Sequence, residues 1–212
     1  MSAVGFNVKG LAKIRPLPFG RVLFRGIRLN TLLSKDPPQP LFVSESANRY
    51  NLRGTRTLYF GENALTAYSE TVQQPSSVLV NHPTRERRTS SGYEIGEENE
   101  EPVVVFAAQA WLDKTLDLTD GAVCSQLGLV EHSLLQPWRW AASMGVTPLT
   151  QQLGEEVFKT GRFEAIRYPS EKAIDPHRVE RHTAWAIFVD LLSGNSFVEV
   201  SDVSRRLRGR IP

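Results

Sequence analysis

The sequence has few of the residues that build metal sites and covalent cross-links. Its 212 residues include one cysteine, Cys124, and four scattered histidines. A single cysteine excludes a disulfide framework and a zinc site built from cysteine pairs. We therefore expect no resident metal ion.

Long apolar runs and a strong charge of one sign are also missing. No stretch approaches the roughly 20 apolar residues that a membrane-spanning helix needs. Residues 1–16 contain no apolar core of signal-peptide length. These absences favour a cytoplasmic protein without membrane contact. The formal net charge of +2 is too small to indicate direct nucleic-acid binding, which usually needs a basic stripe.

Three common enzyme motifs are absent. No glycine-rich dinucleotide fingerprint follows a strand, and there is no GxxxxGK[ST] phosphate loop. There is also no GxSxG nucleophile turn. A Rossmann dehydrogenase, a P-loop enzyme and a hydrolase with a nucleophilic serine turn therefore lack support.

Several segments have the patterns of helices and strands. A short strand at Thr57–Phe60 leads through Gly61 into a helix whose apolar residues recur at helical spacing. A second helix starts with Thr147 as its cap and ends near Gly161. The remaining predicted strands are Val103–Gln109, Phe163–Tyr168 and Ala184–Asp190. Because the strands cluster instead of alternating strictly with helices, we predict an α+β fold.

The length favours one domain. We expect residues 1–19 to form an N-terminal extension, residues 20–200 the main domain and residues 201–212 a basic C-terminal tail. Within the main domain, residues 82–102 are polar, with basic residues first and acidic residues after. This composition predicts a surface loop or a partly disordered insertion.

The most informative segment is residues 47–70, ANRYNLRGTRTLYFGENALTAYSE. It combines an Arg-aromatic-Asn step, a Gly-Thr turn, a Leu-Tyr strand and a helix ending in Ala-x-x-Glu. This order of motifs resembles the signature of the RES-domain family. Three further stretches agree with that family: Phe24-Arg25, residues 116–129 and residues 163–170. The resemblance covers about residues 20–190, and its motifs occur in the right order.

The resemblance implies a fold and an activity. RES-domain proteins are toxins of toxin–antitoxin pairs, are similar in fold to ADP-ribosyltransferases, and degrade NAD+ by phosphorolysis or hydrolysis. The implied fold is a single domain of central β-sheets flanked by helices. NAD+ is then a substrate and not a retained cofactor, and phosphate is a candidate co-substrate. The implied partner is an Xre-type antitoxin, and the family also allows a homodimer within the toxin–antitoxin complex.

Residues of this chain that match the family motif can supply the required chemistry. When the bond between ribose and nicotinamide breaks, positive charge passes to the ribose, so a carboxylate facing the ribose favours the transition state. The resemblance assigns that carboxylate to Glu70. It assigns a phosphate clamp to Arg49 and Arg25, because guanidinium groups form paired hydrogen bonds with phosphate oxygens.

Two further residues complete the predicted site. Tyr59 can offer an aromatic face to the cationic pyridinium ring. Ser170 can orient either the nicotinamide amide or Glu70. The catalytic set is thus Glu70, Arg49 and Ser170, and the substrate-binding set is Arg25, Arg49, Tyr59 and Ser170.

Each assignment has an ordinary structural alternative. Arginines are commonly solvated, Tyr59 could pack in a strand core, Glu70 could be an exposed helical carboxylate and Ser170 could stabilise a turn. In the predicted helix, Ala64, Leu65, Tyr68 and Val72 form the apolar stripe, and Glu70 lies off its centre. His177 and His182 are expected in an exposed polar loop.

Two other functions remain open from the sequence. A mono-ADP-ribosyltransferase would cleave the same bond and transfer ADP-ribose to a protein. An inactive binding module would retain the fold without turnover. The sequence does not choose between phosphate, water and protein as acceptor, because the nucleophile need not be a side chain of this chain.

Overall fold

A computed structural model of the chain describes residues 5–34, 40–43, 45–72, 87–89, 92–94, 102–170, 182–201 and 208–212. The strands in these residues are β1 (Leu17–Arg28), β2 (Thr57–Gly61), β3 (Arg87–Thr89), β4 (Gly92–Glu94), β5 (Val103–Asp117), β6 (Ala165–Pro169), β7 (Thr183–Phe188), β8 (Phe197–Ser201) and β9 (Arg208–Ile211). The helices there are α1 (Val8–Leu11), α2 (Leu29–Leu32), α3 (Ala64–Thr71), α4 (Gly121–Gln126), α5 (Glu131–Leu134), α6 (Trp138–Ser143) and α7 (Leu149–Thr160), with a 3-10 turn at Val189–Leu191. The prediction of a single α+β domain is confirmed.

Five strands, β1, β2, β7, β6 and β5, form a closed ring in which each strand pairs with two others. β1 pairs antiparallel with β5 along most of its length and with β2 at Phe24 and Gly61. β2 pairs with β7, and β7 pairs with β6, both antiparallel. β6 pairs in parallel with the end of β5, and β5 pairs with β1, which completes the ring. β8 and β9 extend the sheet from the middle of β5.

β7 lies between two apolar clusters. All six of its residues are buried, and because side chains alternate along a strand, they serve both sides of the sheet. Trp185 and Ile187 belong to what we call the strand cluster, together with Leu23, Leu58 and Phe60. The other side is the helix-side cluster, which contains Ala184, Ala186, Phe188, Leu127, Leu134, Leu153, Val157 and Tyr168.

Described residues of the predicted N-terminal extension and C-terminal tail pack with the rest of the domain. Within the predicted N-terminal extension, Phe6, Leu11 and Ile14 are buried in the helix-side cluster. Within the predicted C-terminal tail, Arg208–Ile211 forms β9 and pairs with β8. In the predicted insertion at 82–102, β3 and β4 pair as an antiparallel hairpin. Most of the remaining residues of that segment lie outside the described residues.

The predicted elements are found with shifted boundaries. β5 continues eight residues beyond the predicted end at Gln109, to Asp117. The helix predicted from Thr147 begins at Leu149 with Pro148 at its cap and no side-chain cap hydrogen bond, so the predicted threonine cap is wrong. Its predicted end is confirmed, because Gly161 adopts φ 61°, a left-handed conformation that suits glycine.

Two glycines allow α3 to lie close against the sheet. A Cβ atom on Gly61 of β2 would lie 2.5 Å from the backbone nitrogen of Ala67. A Cβ atom on Gly26 of β1 would lie 2.9 Å from the Ala67 carbonyl oxygen and would also collide with Thr71. Because side chains at these positions would displace the helix, the glycines determine where α3 holds its functional residues.

Candidate active site

Glu70 and Ser170 are in direct contact although 100 residues separate them in the chain. Glu70 lies in the last turn of α3, and Ser170 follows the last residue of β6. The Ser170 hydroxyl donates a 2.6 Å hydrogen bond to Oε1 of Glu70. The backbone N–H of Ser170 donates to the carbonyl oxygen of His182 at 2.9 Å. Ser170 was predicted to orient either the nicotinamide amide or Glu70, and in the structure it contacts Glu70.

The buried face of α3 is formed by small side chains. Thr66 and Ala67 are the buried residues of this helix. By contrast, the side chains of Leu65 and Tyr68 are 47% and 37% exposed. The apolar stripe defined by the helical spacing is therefore not the buried face of this helix. Because the close contact with Gly26 and Gly61 requires a small residue, Ala67 faces the sheet and the larger apolar residues point outward.

His182 links the two chain segments that carry Glu70 and Ser170. Its Nδ1 lies 3.0 Å from Oγ1 of Thr66 on α3, and its carbonyl oxygen accepts the hydrogen bond from Ser170. His182 is buried, so the prediction of an exposed position is wrong for it. His177 lies outside the described residues. No periodic pattern includes His182, because it precedes β7 by one residue.

Arg49 is held in a loop that packs against α7. Its side chain is buried, and Nη1 donates a 2.8 Å hydrogen bond to the carbonyl oxygen of Leu134 at the end of α5. Gln151 of α7 donates from Nε2 to the carbonyl oxygen of Asn48 at 2.9 Å. A Cβ atom on Gly154 would collide with the carbonyl group of Tyr50, so α7 approaches this loop as closely as backbone allows.

Tyr59 is bound to the same loop through its hydroxyl group. The hydroxyl donates to Oδ1 of Asn51 at 2.8 Å and accepts from the backbone N–H of Tyr50 at 2.9 Å. Burial raises the pKa of Tyr59 well above that of a free tyrosine. The positive charge of Arg49 lowers this pKa and the negative charge of Glu70 raises it, both by less than burial does. The phenol therefore stays protonated and keeps donating to Asn51. Arg49, Tyr59, Glu70 and the adjoining Ser170 thus form one neighbourhood.

A family model and a solved structure both resemble this chain. The model of the RES domain matches residues 33–199. The chain belongs to the RES-domain family. A solved structure described as the Mycobacterium tuberculosis MbcT–MbcA toxin–antitoxin complex shares its fold, with a TM-score of 0.55 and 11% sequence identity. The match covers 92% of this chain and 88% of the other. No curated protein matches by sequence.

Two further tyrosines of this RES-domain chain adjoin the site. The rings of Tyr50 and Tyr168 pack with their centroids 4.5 Å apart. Burial, followed by the charge of Glu70, raises the pKa of Tyr168 well above that of a free tyrosine. Sequence reasoning missed Tyr168, although it lies two residues before Ser170 and side chains at this spacing share a face of a strand.

Arg25 is not brought together with the other predicted site residues. Leu23, two residues earlier on β1, is buried in the strand cluster, so Arg25 points to that side of the sheet. Tyr59 packs instead against the helix-side cluster. Arg25 donates from Nη2 to the carbonyl oxygen of Phe42 at 2.7 Å, and its guanidinium lies 4.6 Å from the Phe42 ring centroid. Burial lowers the pKa of Arg25 to about 10.

A group of ion pairs lies on the same side of the sheet as Arg25. Arg167 donates to Glu62 at 2.9 Å and to Asp117 at 3.0 Å, and its guanidinium lies 6.0 Å from the Trp185 ring centroid. Burial alone would raise the pKa of Glu62. Hydrogen bonds from Thr183 and Arg167, with the charges of Arg167 and Arg21, outweigh burial and lower that pKa. This group is separate from the Glu70 site.

The described part of the chain contains neither a cluster of metal-binding residues nor a membrane-spanning helix. No group of three or more His, Cys, Asp or Glu residues in it is arranged to hold a metal ion. None of its helices is long and apolar enough to cross a membrane.

Proposed function

We propose that this RES-domain protein is the toxin of a toxin–antitoxin pair and that it degrades NAD+ by cleaving the bond between nicotinamide and ribose. The observation that carries the proposal is the contact between Ser170 and Glu70. A 2.6 Å hydrogen bond holds Oε1 of Glu70, and among the described residues none occupies Oε2. Ser170 therefore holds one oxygen in position, and no described residue would have to be displaced for a substrate to contact the other.

The proposed reaction needs no general acid. The bond between C1 of the ribose and the pyridinium nitrogen breaks, and its electron pair passes to that nitrogen, so nicotinamide leaves as a neutral molecule. The ribose becomes an oxocarbenium ion. The Glu70 carboxylate faces this developing positive charge, and an interaction that strengthens as charge develops lowers the barrier. An oxygen of phosphate or water then bonds to C1, and a water nucleophile releases its extra proton to the solvent.

The other residues would bind the substrate. Tyr59 would offer its ring to the cationic pyridinium, an attraction worth roughly 0.5–2 kcal/mol. Arg49 would hold the pyrophosphate. Since Arg49 is buried and Nη1 is bonded to the Leu134 carbonyl, the pyrophosphate would have to reach this buried guanidinium through its other N–H donors or by replacing that carbonyl. Arg25 would reach a phosphate only from the opposite side of the sheet, so we give it no role in this proposal.

We further propose a protein antitoxin as the partner, of the Xre type. The membership of the RES-domain family supports this partner, and the similar fold of the MbcT–MbcA toxin–antitoxin complex agrees with it. An unrestrained enzyme of this type would exhaust cellular NAD+. Expression of the chain alone should therefore lower cellular NAD+ and stop growth, and co-expression with its antitoxin should restore both. Harmless expression with unchanged NAD+ would contradict the toxin role.

The enzymatic proposal is tested by incubating the purified protein with NAD+, with and without phosphate, and identifying the ribose product. ADP-ribose 1″-phosphate identifies phosphorolysis, and ADP-ribose identifies hydrolysis. Label transferred from NAD+ to protein identifies an ADP-ribosyltransferase instead. The absence of any turnover would favour an inactive binding module. The Glu70→Gln variant serves as the control for a contaminating activity.

A further inference from the structure

The amide group of Asn51 occupies a central position in the loop that carries Arg49. Asn51 is buried, and its Nδ2 lies 2.8 Å, 3.0 Å and 3.2 Å from the carbonyl oxygens of Ser46, Leu52 and Thr55. The surrounding acceptors therefore determine which way the amide points. Its backbone also forms a bridge with Asn48, one residue before Arg49.

The other end of the same amide holds Tyr59. Oδ1 of Asn51 accepts the 2.8 Å hydrogen bond from the Tyr59 hydroxyl, which in turn accepts from the backbone N–H of Tyr50. Tyr59 is on β2, whereas Arg49 and Tyr50 are in the loop that precedes this strand. A single buried side chain thus connects the strand that carries the aromatic ring to the loop that carries the guanidinium.

The two connected groups are those expected to bind the two ends of the substrate. We propose that Asn51 is a positioning residue: its amide fixes the Arg49 loop and the Tyr59 ring relative to one another, so that both can bind one NAD+ molecule. The inference rests on the proposed function. Asn51 itself need not touch the substrate, because its hydrogen-bonding groups are already engaged within the protein.

This role predicts a specific kinetic effect. If Arg49 and Tyr59 bind the substrate equally in the ground state and the transition state, misplacing them weakens binding and raises KM, with a smaller effect on kcat. Replacing Asn51 by Ala removes hydrogen bonds whose loss should raise KM by about tenfold. The Tyr59→Phe variant keeps the ring and removes only its hydroxyl, so KM should rise by a smaller factor, about threefold.

The experiment measures kcat, KM and the melting temperature for the full-length protein, Asn51→Ala, Tyr59→Phe and the double variant. If the connection passes through the hydroxyl, the double variant should have the same KM as Asn51→Ala, since the shared hydrogen bond can be lost only once. Val198→Ala is the control for stability alone, because Val198 is buried in the strand cluster on the other side of the sheet. It should lower the melting temperature and leave KM unchanged.

The outcomes separate this inference from the proposed function. A raised KM in both single variants without a further rise in the double variant supports it. If wild type consumes NAD+ and both variants have KM within a factor of about two of wild type, Asn51 only stabilises the fold and the inference is overturned. A multiplicative rise of KM in the double variant overturns the connection through the hydroxyl. If the wild-type protein does not consume NAD+, the proposed function fails, and this inference fails with it.

Discussion

Two glutamates in this protein each accept a 2.6 Å hydrogen bond from a serine hydroxyl, but their surroundings differ. Ser196 donates to Oε2 of Glu164 as Ser170 donates to Oε1 of Glu70. Oε2 of Glu164 also accepts from the backbone N–H of Asp113. Its Oε1 accepts from both the backbone and the hydroxyl of Ser193. Glu164 is buried, and each of its oxygens has two donors.

Glu70 is only half-buried, and the described residues engage one of its oxygens. A short hydrogen bond therefore does not by itself distinguish a functional carboxylate from a structural one. The difference lies in how many hydrogen bonds the carboxylate oxygens can still accept. A carboxylate whose two oxygens both accept from the protein stabilises the fold, whereas a carboxylate held by one oxygen can act on a substrate with the other. The same substitution in both glutamates tests this difference.

The largest effect is expected from Glu70→Gln. Glutamine retains an oxygen that can accept from Ser170 but removes the negative charge. We expect kcat for NAD+ consumption to fall by about 10²–10³, as when one preorganised electrostatic group is lost, with little change in KM. Glu155→Gln is the control, because Glu155 forms a surface ion pair with Lys159. Equal turnover in the two variants would leave Glu70 without a catalytic role.

The converse result is expected from Glu164→Gln. Its amide group would face donors and leave at least one buried donor without an acceptor, so the free energy of unfolding should fall by about 1–3 kcal/mol. Urea denaturation measures this loss. Because Glu164 lies outside the Glu70 site, kcat of the folded variant should equal that of wild type. A large loss of kcat with unchanged stability would show that the two carboxylates cannot be separated in this way.

The sequence alone could not have separated these glutamates. Glu70 and Glu164 both lie in segments that resemble the RES-domain family, and both accept from a serine that is distant in the sequence. Local patterns did predict β2, α7 and the α+β class, because strand and helix periodicities depend on neighbouring residues. The number of donors around a carboxylate depends on which distant segments meet there.

The same limit explains which face of α3 is buried and why the burial of His182 was not predicted. Leu65 and Tyr68 have the spacing of a core-facing stripe, yet the contacts of Gly26 and Gly61 with the helix leave room only for Ala67. The spacing of residues within one segment cannot show that two glycines on separate strands contact the same helix. The family motif placed Arg49, Tyr59, Glu70 and Ser170 in one site, and they lie in one neighbourhood; their catalytic and binding roles remain predictions.

A smaller effect is expected from removing only the serine in each pair. Ser170→Ala leaves the charge of Glu70 intact but releases its carboxylate, so kcat should fall by about tenfold. Ser196→Ala is the matched substitution at Glu164, and it should lower stability without changing kcat. Steady-state kinetics and urea denaturation of both variants give the comparison. If Ser170→Ala lowers stability and leaves kcat unchanged, Ser170 is a structural serine like Ser196.

The smallest effect concerns a third carboxylate, Glu62, which is held by cations instead of serines. Its pKa in the folded protein is lowered from 4.5, because the bonds from Thr183 and Arg167 and the charges of Arg167 and Arg21 outweigh its burial. As the pH falls, the unfolded chain takes up this proton first. The stability that Glu62 contributes is therefore complete above its unfolded pKa and is lost as the pH falls through its folded pKa.

Glu62→Gln tests this sign. The variant should be less stable than wild type at neutral pH, by about 1 kcal/mol or less because Arg21 is largely exposed, and the difference should shrink at about pH 3. Added salt should also reduce it at neutral pH. Glu199→Gln is the control, since Glu199 pairs with Arg210 at 3.6 Å on the surface. If the Glu62 difference were the same at both pH values, the ion pairs would not be its source. Glu62 would then act as a hydrogen-bond acceptor, as Glu164 does.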